Sequence, residues 1–313
     1  MSKIRAVVAD PRAVGHLSLR EIDPPSPLSN QSLVQVAATS LNLGEVHIAQ
    51  SSPEGTVLGW DVAGIIEQAA DDGSGPPRGS RVVGMVRSGA WAEMVAVPTD
   101  ALAELPDAVS FTQAATLPVA GLTALMAVER GMGLLGRRVL VTGASGGVGH
   151  FACQLAKLYG AHVVGLVRHP AKEAVARAAG ADQVVVGEDA SPAAAQGPYR
   201  LIVEAVGGKL LSQALGMLGP DGVCVSIGVV RGLEITLDLR AMRAPRSSLY
   251  KMLVFTEFNR ETASSGLSRL AQLVAEGRIR PHIDVEEDWS RIGQVAEDLL
   301  QRRISGKAVL TVK

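Results

Sequence analysis

The stretch VLVTGASGGVG at residues 139–149 constrains the fold of this chain more than any other. Three apolar residues and a threonine run straight into glycines at 143, 146 and 149, and a helical pattern begins at once. Such a turn lets backbone N–H groups approach a pyrophosphate lying at a helix N-terminus, where the helix dipole favours negative charge. The spacing is GxxGxxG rather than GxGxxG, and three glycines alone would equally serve a plain strand-to-helix turn packed with small residues. Order favours the first reading. Strand 139–142, the turn, helix 148–159 and a second strand 162–167 follow one another at the lengths a dinucleotide-binding βαβ unit needs.

At 313 residues, with 47% hydrophobic and 19% charged side chains, the chain can bury one large core or two ordinary ones. A formal net charge of −1 argues against nucleic acid or an acidic membrane as the main partner. No apolar run reaches the roughly 18–20 residues that span a bilayer. The start, MSKIRAVVAD, enters a strand without signal-peptide character. Cys153 and Cys224 fall in a predicted helix and a predicted strand; both read as small core residues, and two cysteines make no zinc framework. A cytoplasmic enzyme is the expectation.

The first hundred or so residues read as β-rich, with strands over 4–9, 32–41, 62–68, 80–86 and 92–97 and a surface turn at 71–80. Helical spacing takes over at 112–133, broken into two helices by Pro118 and Gly121. From Arg138 onward strands alternate with helices: helix 148–159, strand 162–167, helix 171–179, strand 183–186, strand 200–205, helix 209–218 and strand 222–227. That alternation implies parallel strands joined by right-handed crossovers. Residues 187–198 are short for a helix-bearing crossover, so one layer is expected to be trimmed there, and 233–237 reads as an edge strand. Helices near 264–276 and 289–302 and a closing strand at 307–312 complete the chain.

An ordered set of motifs then carries a resemblance over nearly the whole chain. It consists of SLNLGEV (40–46), LGWDVAGIIE (58–67), GSRVVGM (79–85), GAWAEMVAVP (89–98), AATLPVAGLTA (114–124), TGASGGVG (142–149), AGAD (179–182) and GKAVL (306–310). Together they resemble the zinc-independent medium-chain dehydrogenase/reductases of the quinone oxidoreductase type. The resemblance implies an α/β protein with a GroES-like β-barrel catalytic domain over 1–113 and 257–313. A Rossmann doubly wound parallel sheet over 114–256 would bind the nicotinamide dinucleotide, held in a cleft between the two. It also implies a homodimer, formed by extending a sheet through an edge strand such as 233–237.

In zinc alcohol dehydrogenases of this superfamily a Gly-His-Glu run supplies a metal ligand where this chain has Gly59-Trp60-Asp61. Tryptophan cannot ligate zinc, neither cysteine lies in the barrel portion, and the six histidines are scattered, so no metal site is expected. Without a Lewis acid the easier chemistry is conjugate reduction: hydride adds to an enone or quinone, and hydrogen bonds stabilise the developing enolate.

The second strand ends not in the Asp or Glu of NAD-specific folds but in Arg168, with His169 next and Lys172 one helical turn on. Lys172 stands at the family's position for the 2′-phosphate, which points to NADPH; solvated cations at a helix start are the plain alternative. The family often has a tyrosine where this chain has Gly187, and Arg302 matches an arginine that can reach the same phosphate, although Arg303 beside it competes for the assignment. The resemblance further places Gly143, Ser145, Gly146, Gly147 and Val148 at the pyrophosphate, Thr123 near the nicotinamide, and Val206, Ser226 and Gly228 along the ribose and carboxamide. A helix threonine packed by its methyl is the alternative for Thr123.

Asn42 falls at a family position near nicotinamide and substrate, where its amide could hold a ribose hydroxyl or donate to the substrate carbonyl; a turn-stabilising asparagine after a strand is the other reading. His47 replaces a tyrosine of many relatives and could protonate an enolate, or be structural. Trp60 walls the pocket or packs in the core, Asp61 reads as a backbone-bonding carboxylate, and Glu45 as a structural or surface one. Between His47 and Gly59 lies no tyrosine or basic cluster, which implies an open cleft and a substrate lacking a large anionic handle. Three functions stay open: NADPH-dependent reduction of a quinone or α,β-unsaturated carbonyl; an enoyl reductase or reductive cyclase on a polyketide-like intermediate; and a protein that holds NADPH without turnover.

Overall fold

A computed structural model describes every residue except Met1, Leu233, Asp238, Ala241 and Arg260. The chain forms two units, Met1–Leu122 with Phe258–Lys313, and Thr123–Glu257.

In the first unit buried and more exposed positions alternate from Gln31 to Ala38 along an eleven-residue strand, Gln31–Leu41, which anchors a seven-stranded sheet. It pairs antiparallel with Asp61–Gln68 on one side and with Lys307–Thr311 on the other, and Met94–Pro98 also pairs with it. Ile283–Asp288 joins Lys307–Thr311 in parallel, whereas Arg81–Met85 and Leu102–Glu104 extend the far side. A separate hairpin, Ile4–Ala9 with Leu17–Ile22, packs its apolar face into the core that holds the buried Trp91 and Trp289. Helix Leu43–Ser51 starts directly after the long strand, and the helix Ile292–Leu300 shares that core.

The second unit is a six-stranded sheet, parallel throughout, in the spatial order Gln183–Val186, His162–Val167, Arg138–Thr142, Tyr199–Glu204, Leu218–Ser226, Ser248–Lys251. Chain order thus reverses between Arg138–Thr142 and Tyr199–Glu204, which is where doubly wound sheets place their ligands. Strands buried on both faces, such as Arg138–Thr142, read as continuous apolar runs for that reason.

Several expectations need adjustment. The first unit reaches Leu122, and within it Leu117–Gly121 forms a π-helical turn whose Val119 N–H donates to Asp61 Oδ1 at 2.9 Å. Pro118 lies inside that turn and does not end the helical path, which continues as Leu122–Glu129. The edge strand expected at 233–237 is absent from its described part, Leu233 lying outside the described residues. The edge is instead Ser248–Lys251, too short and too exposed to stand out in the sequence. Arg130 steadies it, donating to Tyr250 Oη at 2.8 Å and to Glu257 Oε2 at 2.6 Å. The trimmed crossover is present as a 3-10 turn, Ser191–Gln196. No helix among the described residues is long and apolar enough to cross a membrane.

Candidate functional site

The glycine turn of the second unit is built by close approach. Gly143 has φ +62°, a conformation that side chains rarely adopt. A Cβ on Gly149 would sit 2.2 Å from the Gly143 carbonyl oxygen, so the helix can start this close to the strand end only with glycine there. Helix Gly147–Leu158 has Gly146 as its N-cap and no side-chain cap. The N–H groups of Gly147, Val148 and Gly149 have no carbonyl four residues back within the helix. Ser145, Gly146, Gly147 and Val148 are half-buried. A bare helix N-terminus behind a glycine turn fits a pyrophosphate on its own geometry.

The neighbouring strand ends close the site. Glu204 is fully buried at the end of Tyr199–Glu204. Its carboxylate accepts from the Thr142 hydroxyl at 3.2 Å, the Val206 N–H at 2.7 Å and the Gly207 N–H at 3.0 Å. Burial pushes this carboxyl up, and the backbone donors of Val206 and Gly207 and the Thr142 hydroxyl pull against it. The Thr142 hydroxyl in turn accepts the Ala205 N–H at 2.9 Å. Gly228 follows Ser226, and a Cβ there would lie 2.5 Å from the Ala205 carbonyl oxygen. Residues 143–148, Val206, Ser226 and Gly228 therefore meet at the carboxyl ends of adjacent strands. Glu204 was not singled out from the sequence, although an acid closing the apolar run LIV was a usable signal.

Arg168 and His169 are exposed just past His162–Val167, and Lys172 ends the 3-10 turn Pro170–Lys172. Arg168 Nε donates to His169 Nε2 at 2.8 Å. Thr123, 7% exposed, opens the second unit. Arg302 belongs to the first unit, where it is exposed and left-handed (φ 60°) just after helix Ile292–Leu300.

The first unit holds a buried polar cluster around Asn42. Lys307, 3% exposed, donates to the Leu41 carbonyl at 3.0 Å, Asn42 Oδ1 at 2.6 Å and Asp61 Oδ2 at 3.3 Å. Asn42 Nδ2 donates to Asp61 Oδ2 and to Glu45 Oε2, each at 2.8 Å, and the Asn42 N–H reaches Glu45 Oε2 at 2.7 Å. The Ser40 hydroxyl also donates to Asp61 Oδ2. Both amide hydrogens of Asn42 are thus committed within the protein.

Glu45 is not a surface carboxylate: it is 1% exposed, with Oε1 buried and unpartnered. Its carboxyl stands well above the usual range because of burial and then the Asp61 charge, against the pull of Lys307 and Asn42. Asp61 bonds backbone as expected, but it also collects three side chains. His47 lies on the exposed face of the same helix, and half-buried Trp60 closes over Gly44. Lys307 escaped notice in the sequence, where its signal was a lysine heading the apolar strand AVL. Both cysteines are buried core residues, and burial pushes the Cys153 thiol up to about 12. Among the described residues no group of three or more His, Cys, Asp or Glu side chains is placed to hold a metal.

Comparison with known proteins places these features in a family. Residues 29–107 match the alcohol dehydrogenase GroES-like domain, and residues 147–272 match the zinc-binding dehydrogenase model. The chloroplast envelope quinone oxidoreductase homolog of Arabidopsis thaliana is 29% identical over 308 residues, covering 92% of this chain and 90% of that protein. The pikromycin polyketide synthase component PikAII of Streptomyces venezuelae is 30% identical over 301 residues, covering 92% of this chain but 8% of the synthase. The structure of Escherichia coli quinone oxidoreductase complexed with NADPH superposes with a TM-score of 0.86 at 25% identity, covering 98% of this chain and 99% of that one. With its GroES-like and Rossmann units, the chain belongs to the medium-chain dehydrogenase/reductases of quinone oxidoreductase-like type, a family of oxidoreductases.

Proposed function

We propose that this protein is an NADPH-dependent, zinc-independent oxidoreductase that passes a hydride to a quinone or an α,β-unsaturated carbonyl. The observation that carries the reading is the cationic end of strand His162–Val167. There Arg168, His169 and Lys172 stand where a 2′-OH-binding carboxylate would mark an NAD enzyme. NADPH, when bound, supplies the hydride. The N–H groups of Gly147 and Val148 hold the pyrophosphate, with Gly143, Ser145 and Gly146 shaping the turn. Lys172 and Arg168 hold the 2′-phosphate, and Val206, Ser226 and Gly228 line the ribose and carboxamide. Thr123 is the further cofactor residue of the second unit.

Asn42 acts through its fixed position, because Asp61 and Glu45 occupy its two amide hydrogens. The proton for the enolate comes from His47 or from solvent. Trp60 at the superfamily's ligand position removes the metal from the chemistry. The likeness to the NADPH complex supports the cofactor assignment, and the quinone oxidoreductase relatives support the acceptor. A second reading, an enoyl reductase or reductive cyclase on a polyketide-like intermediate, is favoured by the likeness to PikAII.

Fluorescence titration tests the cofactor. A charge-assisted bond to the 2′-phosphate adds about 1.5–3 kcal/mol, so NADPH should bind about 10–150-fold more tightly than NADH. Equal affinities refute the preference. Steady-state oxidation of NADPH by simple quinones supports the first substrate reading, and a strict demand for a tethered or polycyclic enone supports the second. No oxidation by any acceptor in single-turnover mixing refutes both.

A further inference from the structure

Parallel pairing of His162–Val167 with Gln183–Val186 sets Val167 beside Val186, and the Gly187 N–H donates to the Val167 carbonyl at 3.0 Å. Arg168 and Glu188 therefore leave the same end of the sheet side by side, with Arg168 Nε 3.9 Å from Glu188 Oε1. A third group arrives from elsewhere in the chain. Arg231 lies in the segment after Leu218–Ser226, its backbone N–H anchored on the Val206 carbonyl at 2.8 Å. Its guanidinium donates to the Glu188 carbonyl at 2.7 Å and pairs with the Glu188 carboxylate. Arg231 in the first place, and Arg168 and His169 more weakly, hold the Glu188 carboxyl below its usual range.

The Glu188 carboxylate thus lies between two arginines, one of which, Arg168, is assigned above to a 2′-phosphate. All three side chains are substantially exposed, at 43% for Arg168, 37% for Arg231 and 65% for Glu188. Their pairing is water-screened and yields readily to a better anion. A phosphate monoester carries about −1.5 to −2 charges and three acceptor oxygens, against one charge on the carboxylate.

We propose that Glu188 is an internal stand-in for the 2′-phosphate, and that Arg231 is a specificity-determining residue which exchanges the Glu188 carboxylate for that phosphate. The inference rests on the NADPH reading above. The carboxylate sets the discrimination: it competes with the phosphate for Arg231 and Arg168 and leaves NADH unaffected.

The experiment measures Kd for NADPH, NADH and adenosine 2′,5′-bisphosphate with the full chain and with Glu188→Gln and Arg231→Ala. Glu188→Gln removes the charge but keeps the backbone carbonyl that Arg231 also holds, and thermal midpoints confirm that both variants fold. The expected result is that Glu188→Gln tightens NADPH and the bisphosphate about threefold to fivefold, with NADH within about twofold. Arg231→Ala should weaken the two phosphorylated ligands about tenfold or more and spare NADH. Weaker NADH binding in Glu188→Gln overturns the proposal, because the carboxylate would then be holding a ribose 2′-OH. Unchanged ratios in both variants overturn it as well. Failure here is separable from failure of the NADPH reading: the parent protein's NADPH/NADH ratio tests the reading, and the change in that ratio between variants tests the exchange.

Discussion

Replacing Lys307 by methionine probes the buried cluster most directly. The ammonium is 3% exposed and spends its three hydrogens on the Leu41 carbonyl, Asn42 Oδ1 and Asp61 Oδ2. Methionine fills a similar stem and donates nothing, so Asp61, at 0% exposure, loses its cationic partner. Removing one partner of a buried pair costs about 3–5 kcal/mol. Asp61 still accepts from Ser40, Asn42 and the Val119 N–H, which puts the expected loss at the lower end of that range. A loss of about 3 kcal/mol in a unit of this size lowers Tm by about 6–12 °C. Urea denaturation at pH 7 should show a lower midpoint with an unchanged slope.

The double variant Lys307→Met/Asp61→Asn carries the decisive control. Removing both charges lets the Asn42 amide turn so that Oδ1 accepts from the new amide at 61. The double variant should then be more stable than the sum of the two single losses by about 1–3 kcal/mol. A Lys307→Met loss below about 1 kcal/mol, or strictly additive losses, refutes the view that the Lys307–Asp61 pair neutralises this cluster.

Two further outcomes follow from the same geometry. Glu45 binds its proton more tightly folded than unfolded, so native stability falls as pH rises from the ordinary glutamate value of about 4.3 toward the raised folded value. The stability of Glu45→Gln relative to the parent should therefore grow across that window by up to about 1.4 kcal/mol per pH unit, and a pH-independent difference in urea denaturation sinks the assignment. In Gly149→Ala the added Cβ meets the Gly143 carbonyl oxygen at 2.2 Å, so the turn must open. Stability should drop by about 1–3 kcal/mol and the NADPH and NADH affinities should fall together, whereas intact cofactor binding by titration excludes this turn as the pyrophosphate site.

The residues of the glycine turn were legible because local chemistry dictates them. A helix start pressed against a strand end needs glycine at 143 and 149 wherever it occurs, and strands buried on both faces must be apolar. The parallel half of the fold, the cationic end of the second strand and the tryptophan at 60 were all open to reading from single segments. Short elements with little apolar content were not, as Ser248–Lys251 shows. Glu45 read as a structural or surface acid because helix spacing does not reveal which face a neighbour will cover.

Contacts between distant segments were beyond the sequence for a physical reason: charge pairing depends on distance, and distance is set by sheet registry. Asp61 and Lys307 meet because Gln31–Leu41 pairs with a strand on each side. Arg231 reaches Glu188 because two loops at one end of the parallel sheet converge. The sequence by itself determined that a close-packed glycine turn leads from strand to helix and which charges stand beside it. Tertiary structure alone decided that both Asn42 amide hydrogens are already occupied, and that the Glu188 carboxylate lies between Arg168 and Arg231.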